Sequence, residues 1–214
     1  MRGVKLMCLA TLLFLAACNP TGAEKEEETY TYEAYELPLA EKVALGDGKD
    51  EIVFIFDYSC PWCKKWMESV LPEIESRWID TGKVSFKGQP LVLLNERSQL
   101  LASVDLNVER HMPTRYYEVQ RQIGMDSGMD DFGTEAYVRR LAKTLEIDPN
   151  LLLVAHTDTG IQNARLYTRD LGVAYVPTVY VNGVKLLDAF SLEEMERVLN
   201  GEIKAGDVVD VPAE

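Results

Sequence analysis

Cys60-Pro61-Trp62-Cys63 concentrates more reactive chemistry than any other stretch of the chain. Two thiols three positions apart can form a transferable disulfide, supply half of a zinc site, or sit inert. Zinc asks for four ligands, and the further nitrogen donors are His111 and His156. Both histidines read more simply as surface or satisfied core residues. Disulfide exchange has a stronger physical basis. The attacking species is the thiolate, and an ordinary thiol near pKa 8.5 is only a few per cent ionised at neutral pH. Pro61 suits the first position of a helix. Cys60 therefore falls where free N–H groups and the helix dipole favour an anion. Each unit by which its pKa falls is worth about 1.36 kcal/mol. That gain stabilises the reduced protein and makes the disulfide more oxidising. Cys63, one turn into the helix, is expected to be buried and to act as the resolving thiol.

The flanking elements explain how such a pair would be held. Ile52-Val53-Phe54-Ile55-Phe56 is a continuous apolar, β-prone run, the pattern of a strand buried on both faces. It delivers the chain to Ser59, and a helix follows through Trp66 and Met67, with Val70, Ile74 and Trp78 continuing its apolar side. Pro72 should kink or restart that helix. Val84 and Phe86 alternate with polar residues as a strand, and 91–94 extends it or opens the next unit. From about 97 to 169 the pattern is helical with short breaks. One break is the Met/Asp/Gly-rich loop 124–133, which lacks the ligand spacing of an EF-hand. Thr134 and Asp148-Pro149 open further helices. Thr178 to Val181 reads as a strand, Asn182-Gly183 as a type I′ turn, and Val184 to Leu187 as the returning strand. Ser191 with Glu194 forms a capping box for a last helix.

The chain ends define a different region. Arg2 and Lys5 sit at the front of an almost wholly apolar run from Val4 to Ala17, a signal-peptide pattern too short for the ~20 residues of a comfortable membrane span. Its end, Leu15-Ala16-Ala17-Cys18, resembles the lipobox of bacterial lipoproteins, which implies cleavage after 17 and lipid attachment at Cys18. An ordinary secretory signal or a retained anchor are the alternatives. Cys8 would leave with the signal, so Cys60 and Cys63 would be the remaining free thiols. Residues 18–38 read as an acidic tether, with Tyr30, Tyr32 and Tyr35 as the start of folded structure, and 201–214 as a polar tail. The 214 residues carry 35 acids against 22 bases, net −13. That balance argues against nucleic acid or an anionic lipid face as partner.

Phe56-Asp57-Tyr58-Ser59-Cys60-Pro61-Trp62-Cys63, Val176-Pro177-Thr178 and Asn182-Gly183 together resemble the DsbA-like thiol–disulfide oxidoreductases, and BdbD-like or lipoprotein members most of all. The resemblance covers 39–200. It implies an α/β thioredoxin-like fold with a helical domain inserted at about 95–170. It also implies an exposed nucleophile at Cys60 partnered by Cys63, and a cis bond at Val176–Pro177 beside Cys60. Pro61, Trp62, Val176, Pro177 and Thr178 would shape the site and bind an extended substrate segment. Read without the family, Pro177 is simply an edge-strand proline, and Trp62 either shapes the groove or packs. Many thioredoxin-like proteins carry a buried carboxylate six residues before the first cysteine, and here that position is Phe54. Glu51 and Asp57 are the nearest acids, either of which could carry protons to Cys63 or be plain surface acids.

The leading expectation is a monomeric dithiol oxidase for exported proteins, with no cofactor or metal, reoxidised by a DsbB-like membrane redox partner. A disulfide reductase or isomerase is the second reading. Isomerases of this superfamily add an N-terminal dimerisation domain, for which 18–50 is too short. A non-catalytic lipoprotein that binds partners through its helical insert is the third.

Overall fold

The computed structural model of the protein describes residues 28–155 and 159–211. The signal segment, Cys8, Cys18, the tether up to residue 27, His156 and the last three residues lie outside the described residues.

The apolar run becomes one of the two inner strands of a four-stranded sheet. Strands β2 (Asp50–Phe56) and β3 (Val84–Pro90) pair in parallel, β4 (Thr178–Val181) runs antiparallel to β2, and β5 (Val184–Lys185) closes the order β3-β2-β4-β5. Successive β2 side chains point to opposite faces. Ile52, Phe54 and Phe56 join one core with Trp66, Ile74, Val84, Phe86 and Met195, whereas Val53 and Ile55 join another with Leu91, Tyr167, Val173 and Tyr180. A strand apolar on every residue is the one able to fill both.

Helix α1 (Pro61–Ser69) starts four residues after β2 and gives way to a short α2 (Leu71–Ile74), with Pro72 in its first turn, and a π-helical turn over Glu75–Ile79. Restarting the helix there spares the hydrogen bond that an interior proline would break. Between β3 and β4 lie the inserted helices α3 (Arg97–His111), α4 (Tyr116–Asp126), α5 (Glu135–Thr144), α6 (Pro149–Leu152) and α7 (Thr159–Asp170). This is a thioredoxin-like α/β fold with a helical insertion. Thr134 and Asp148 cap α5 and α6 through their side chains, and Ser191 caps α8 (Leu192–Leu199). Asn182 and Gly183 both have positive φ, 48° and 79°, as a type I′ hairpin requires.

The two ends differ from the sequence reading. Folded structure begins at the tyrosines, as expected of them, so residues 29–38 are not free tether, and the tail is not wholly loose. Strand β1 (Thr29–Thr31) pairs antiparallel with β6 (Val208–Asp210), Tyr32 is buried, and Ala34 bridges to Val184 at the β5 edge. The tyrosines supply apolar surface that an acidic spacer lacks, and that surface holds the segment down.

Candidate active site

Strand β2 ends at Phe56, and Asp57 to Ser59 turn the chain into α1. The turn closes with the Cys60 N–H donating to the Asp57 carbonyl at 3.0 Å. Cys60 is extended (φ −85°, ψ 117°), the conformation of a helix N-cap. Its Sγ accepts the Cys63 N–H at 3.4 Å, so a sulfur occupies the place a serine or aspartate oxygen takes in other helices.

Both thiols are free, and they sit in opposite electrostatic environments. The Cys60 thiol is lowered to about 6, chiefly by the hydrogen bond from the Cys63 side chain. The backbone N–H groups of Cys63 and Trp62 help, and burial opposes them. Burial pushes the Cys63 thiol far above the ordinary range, and its hydrogen bond to Cys60 adds to this. One thiol is thus poised to be charged and the other to keep its proton.

Facing the pair is the turn before β4. The Val176–Pro177 bond is cis, and the Val176 carbonyl lies 3.6 Å from Cys60 Sγ. Pro177 precedes the strand ladder, which begins with Thr178 opposite Ile55, so it displaces no sheet hydrogen bond. Thr178 is buried and donates its hydroxyl to the Tyr175 carbonyl at 2.7 Å. Pro61, Trp62, Val176, Pro177 and Thr178 are therefore all brought around the cysteines. Trp62 and Tyr175 stand out at 59% and 53% exposed. Lys65 lies over the Trp62 ring, and Phe190 meets its edge.

Two expectations need correction. Cys60 is not freely exposed. It retains only 4% of its surface, because the Val176 turn covers the sulfur, while Cys63 retains none. Glu51 is not arranged as a proton carrier for Cys63. Glu51 sits at the other end of β2, about 16 Å from Phe56 along the strand, and its carboxylate pairs with Lys87 at 2.7 Å. Asp57 is fully buried, but its lone pairs are taken. Oδ1 accepts the Ser59 N–H at 2.7 Å and the Ser98 hydroxyl at 2.5 Å. Oδ2 accepts the Leu93 and Leu94 N–H groups at 2.8 and 3.0 Å. Four donors fill the acceptor sites of the carboxylate. Phe54, where a carboxylate was expected by analogy, stacks on Trp66 at 3.9 Å, and the Trp66 indole donates to the Ala189 carbonyl.

Sequence reasoning missed Ser98, the Leu93–Leu94 backbone, Tyr175 and Phe190 as parts of this environment. They reach it from distant segments, and no spacing in the sequence marks them. Among the described residues, no group of three or more His, Cys, Asp or Glu could hold a metal ion, and no helix is long and apolar enough to cross a membrane. His111 is exposed at the end of α3.

The family model described as Thioredoxin matches residues 41–201, about three quarters of the chain. Disulfide bond formation protein D of Bacillus subtilis is 24% identical over 168 residues, covering 73% of this chain and 76% of that protein. The structure is similar to oxidised BdbD from Bacillus subtilis, with a TM-score of 0.70, 20% identity, and coverage of 81% of this chain and 98% of that one. It is also similar to alpha-DsbA1 of Wolbachia pipientis, with a TM-score of 0.65, 19% identity, and coverage of 77% and 92%.

Proposed function

The chain belongs to the thioredoxin family as a DsbA-like thiol–disulfide oxidoreductase, and from that premise we propose that it works as a dithiol oxidase for exported proteins through Cys60 and Cys63. The observation that carries this reading is the unequal pair at the mouth of α1. Cys60 is acidic and N-capping, and Cys63 is buried and reluctant to ionise.

In the oxidised form, a client thiolate attacks Cys60 Sγ. The Cys60–Cys63 bond breaks, and the bonding electron pair leaves on Cys63, which takes up a proton because burial disfavours its thiolate. The client's second thiolate then attacks the client sulfur of the mixed disulfide, and Cys60 departs as the stable thiolate. The client has lost two electrons and gained a disulfide, and the protein holds them as a dithiol. Trp62 and Tyr175 flank the opening through which the client approaches, and the Val176 backbone offers an extended client segment a hydrogen-bonding edge beside Cys60. Reoxidation falls to a membrane redox partner of the DsbB kind. Lipid at Cys18 would hold the protein outside the cytoplasm, near that partner.

The acidity of Cys60 favours the oxidase over the reductase direction. A thiolate stabilised in the reduced form makes the disulfide easier to hand on, by about 30 mV for each unit of thiol pKa. The test is a glutathione redox titration of the purified protein, paired with reoxidation of a reduced client. The expected result is a couple well on the oxidising side of thioredoxin, and client oxidation that Cys60→Ser abolishes. A potential at the thioredoxin level would reassign the protein as a reductase. A Cys60→Ser protein with unimpaired biological activity would make it a non-catalytic binder.

A further inference from the structure

The exchange chemistry makes no use of the most thoroughly buried acid near it. Asp57 lies three residues before Cys60, with no exposed surface. Its four donors come from three places: the active-site turn (Ser59 N–H), the β3–α3 loop (Leu93 and Leu94 N–H) and the first turn of α3 (Ser98 hydroxyl). The Ser98 oxygen also lies 2.9 Å from the Ser59 hydroxyl, and the Ser59 hydroxyl donates to Asn95 Oδ1 at 3.1 Å. Every donor to the carboxylate is neutral, so no counter-ion cancels its charge. The four donors together occupy the acceptor sites of the carboxylate. The carbonyl of the same residue receives the Cys60 N–H.

We propose that Asp57 is a positioning residue of the exchange reaction: its satisfied carboxylate fastens the Ser59–Cys60 turn to the inserted helices and keeps a fixed negative charge behind the cysteine pair. The tie holds Cys60 at the helix mouth. The charge opposes the N–H groups there, so the thiolate is stabilised less than the helix end alone would allow. Asp57 bears on Cys60 in that direction, less strongly than the hydrogen bonds and burial do. The inference rests on the oxidoreductase reading and adds a regulator of the couple's potential.

The experiment compares the wild type with Asp57→Asn. Cys60 is followed by its thiolate absorbance against pH. The couple is followed by its equilibrium with glutathione, in which protein disulfide and two thiols exchange for protein dithiol and glutathione disulfide. Asparagine keeps the size of the side chain and removes the charge. The Cys60 acid constant should rise about two- to threefold, and the glutathione equilibrium should move toward reduced protein by a similar factor. A turn that was merely loosened would do the reverse, since Cys60 would lose N–H support. An unchanged or weakened acidity in folded Asp57→Asn therefore overturns the proposal. Should Asp57→Asn not fold, Ser98→Ala takes its place. That variant keeps the charge but removes the hydroxyl dipole that offsets it, so the Cys60 acid constant should fall about twofold, and no change would overturn the proposal. Thr134→Ala, a cap in the insert remote from the cysteines, should lower the melting temperature without moving either readout. A wild type that neither exchanges with glutathione nor shows an acidic Cys60 would defeat the functional reading itself. A wild type that exchanges while Asp57→Asn behaves identically defeats only this inference.

Discussion

Two buried carboxylates in this protein are linked by one side chain and built in opposite ways. Asp57 is met by neutral donors alone. Asp105, in the middle of α3, is met by Lys42 Nζ at 3.0 Å, which also pairs with Glu109, and by the Tyr58 and Tyr116 hydroxyls at 2.7 and 2.9 Å. Tyr58, the residue after Asp57, reaches across to Asp105 and so joins the active-site turn to the insert. Burial beside Asp105 pushes both phenols well above their ordinary range, so they stay protonated and keep donating. Charge with a counter-ion is silent at a distance. Charge held by neutral dipoles still reaches its neighbours. The first arrangement fixes helices in place, and the second sits where a field would matter, behind two thiols.

The largest expected effect lies at the thiols. Alkylation of Cys60 by iodoacetamide should be half-maximal near pH 6 and fall about tenfold per pH unit below that. The sign for stability follows. A thiol acidified by folding stabilises the reduced form fully above its unfolded pKa, and that contribution disappears as the pH falls through about 6. The reduced protein should thus lose stability relative to the oxidised one as the pH falls from about 9 through about 6, as denaturant titration of both forms would show. A Cys60 that titrates like a free thiol would remove one side of the comparison.

On the other side, Lys42→Met strands Asp105 without its cation. It should cost about 3–5 kcal/mol in urea unfolding while leaving the Cys60 profile in place. A shifted profile would show that the two charges are not separable. Tyr58→Phe removes one donor to Asp105 and keeps the ring packed against Phe56. About 1.5–3 kcal/mol is expected, again with Cys60 unmoved. Smallest is Thr134→Ala, which deletes the side-chain cap of α5. It should cost about 1 kcal/mol, measured by thermal unfolding, and sets the scale for a purely local loss.

What the sequence makes legible is local. The run 52–56, Pro61 after Cys60, the restart at Pro72, Asn182-Gly183 and the caps at Thr134, Asp148 and Ser191 each carry their signal within a few residues, and each stands in the structure where its signal lies. The cysteine pair and Val176-Pro177 are likewise short motifs. The carboxylate sites are not. Asp57 is tied by residues 36 to 41 positions away, and Asp105 by Lys42, 63 positions away. Three of Asp57's four donors are main-chain N–H groups, which any residue type could have supplied. Glu51 and Asp57 look alike as acids near a strand. Only the packing shows that one faces Lys87 at the far end and the other is enclosed. The tyrosines near the N-terminus hint at order, but their partner strand lies some 180 residues downstream.

That partnership between β1 and β6 has a mechanical consequence. The clasp, with the Ala34–Val184 bridge beside it, fastens to the sheet where β2 begins, whereas the cysteines are carried where β2 ends. A pull applied at Thr29 would load the body at one pole and leave the reactive sulfurs at the other. That tension would be borne by a pair of strands closing the two extremities of the fold, so the pole that meets other proteins would stay unencumbered.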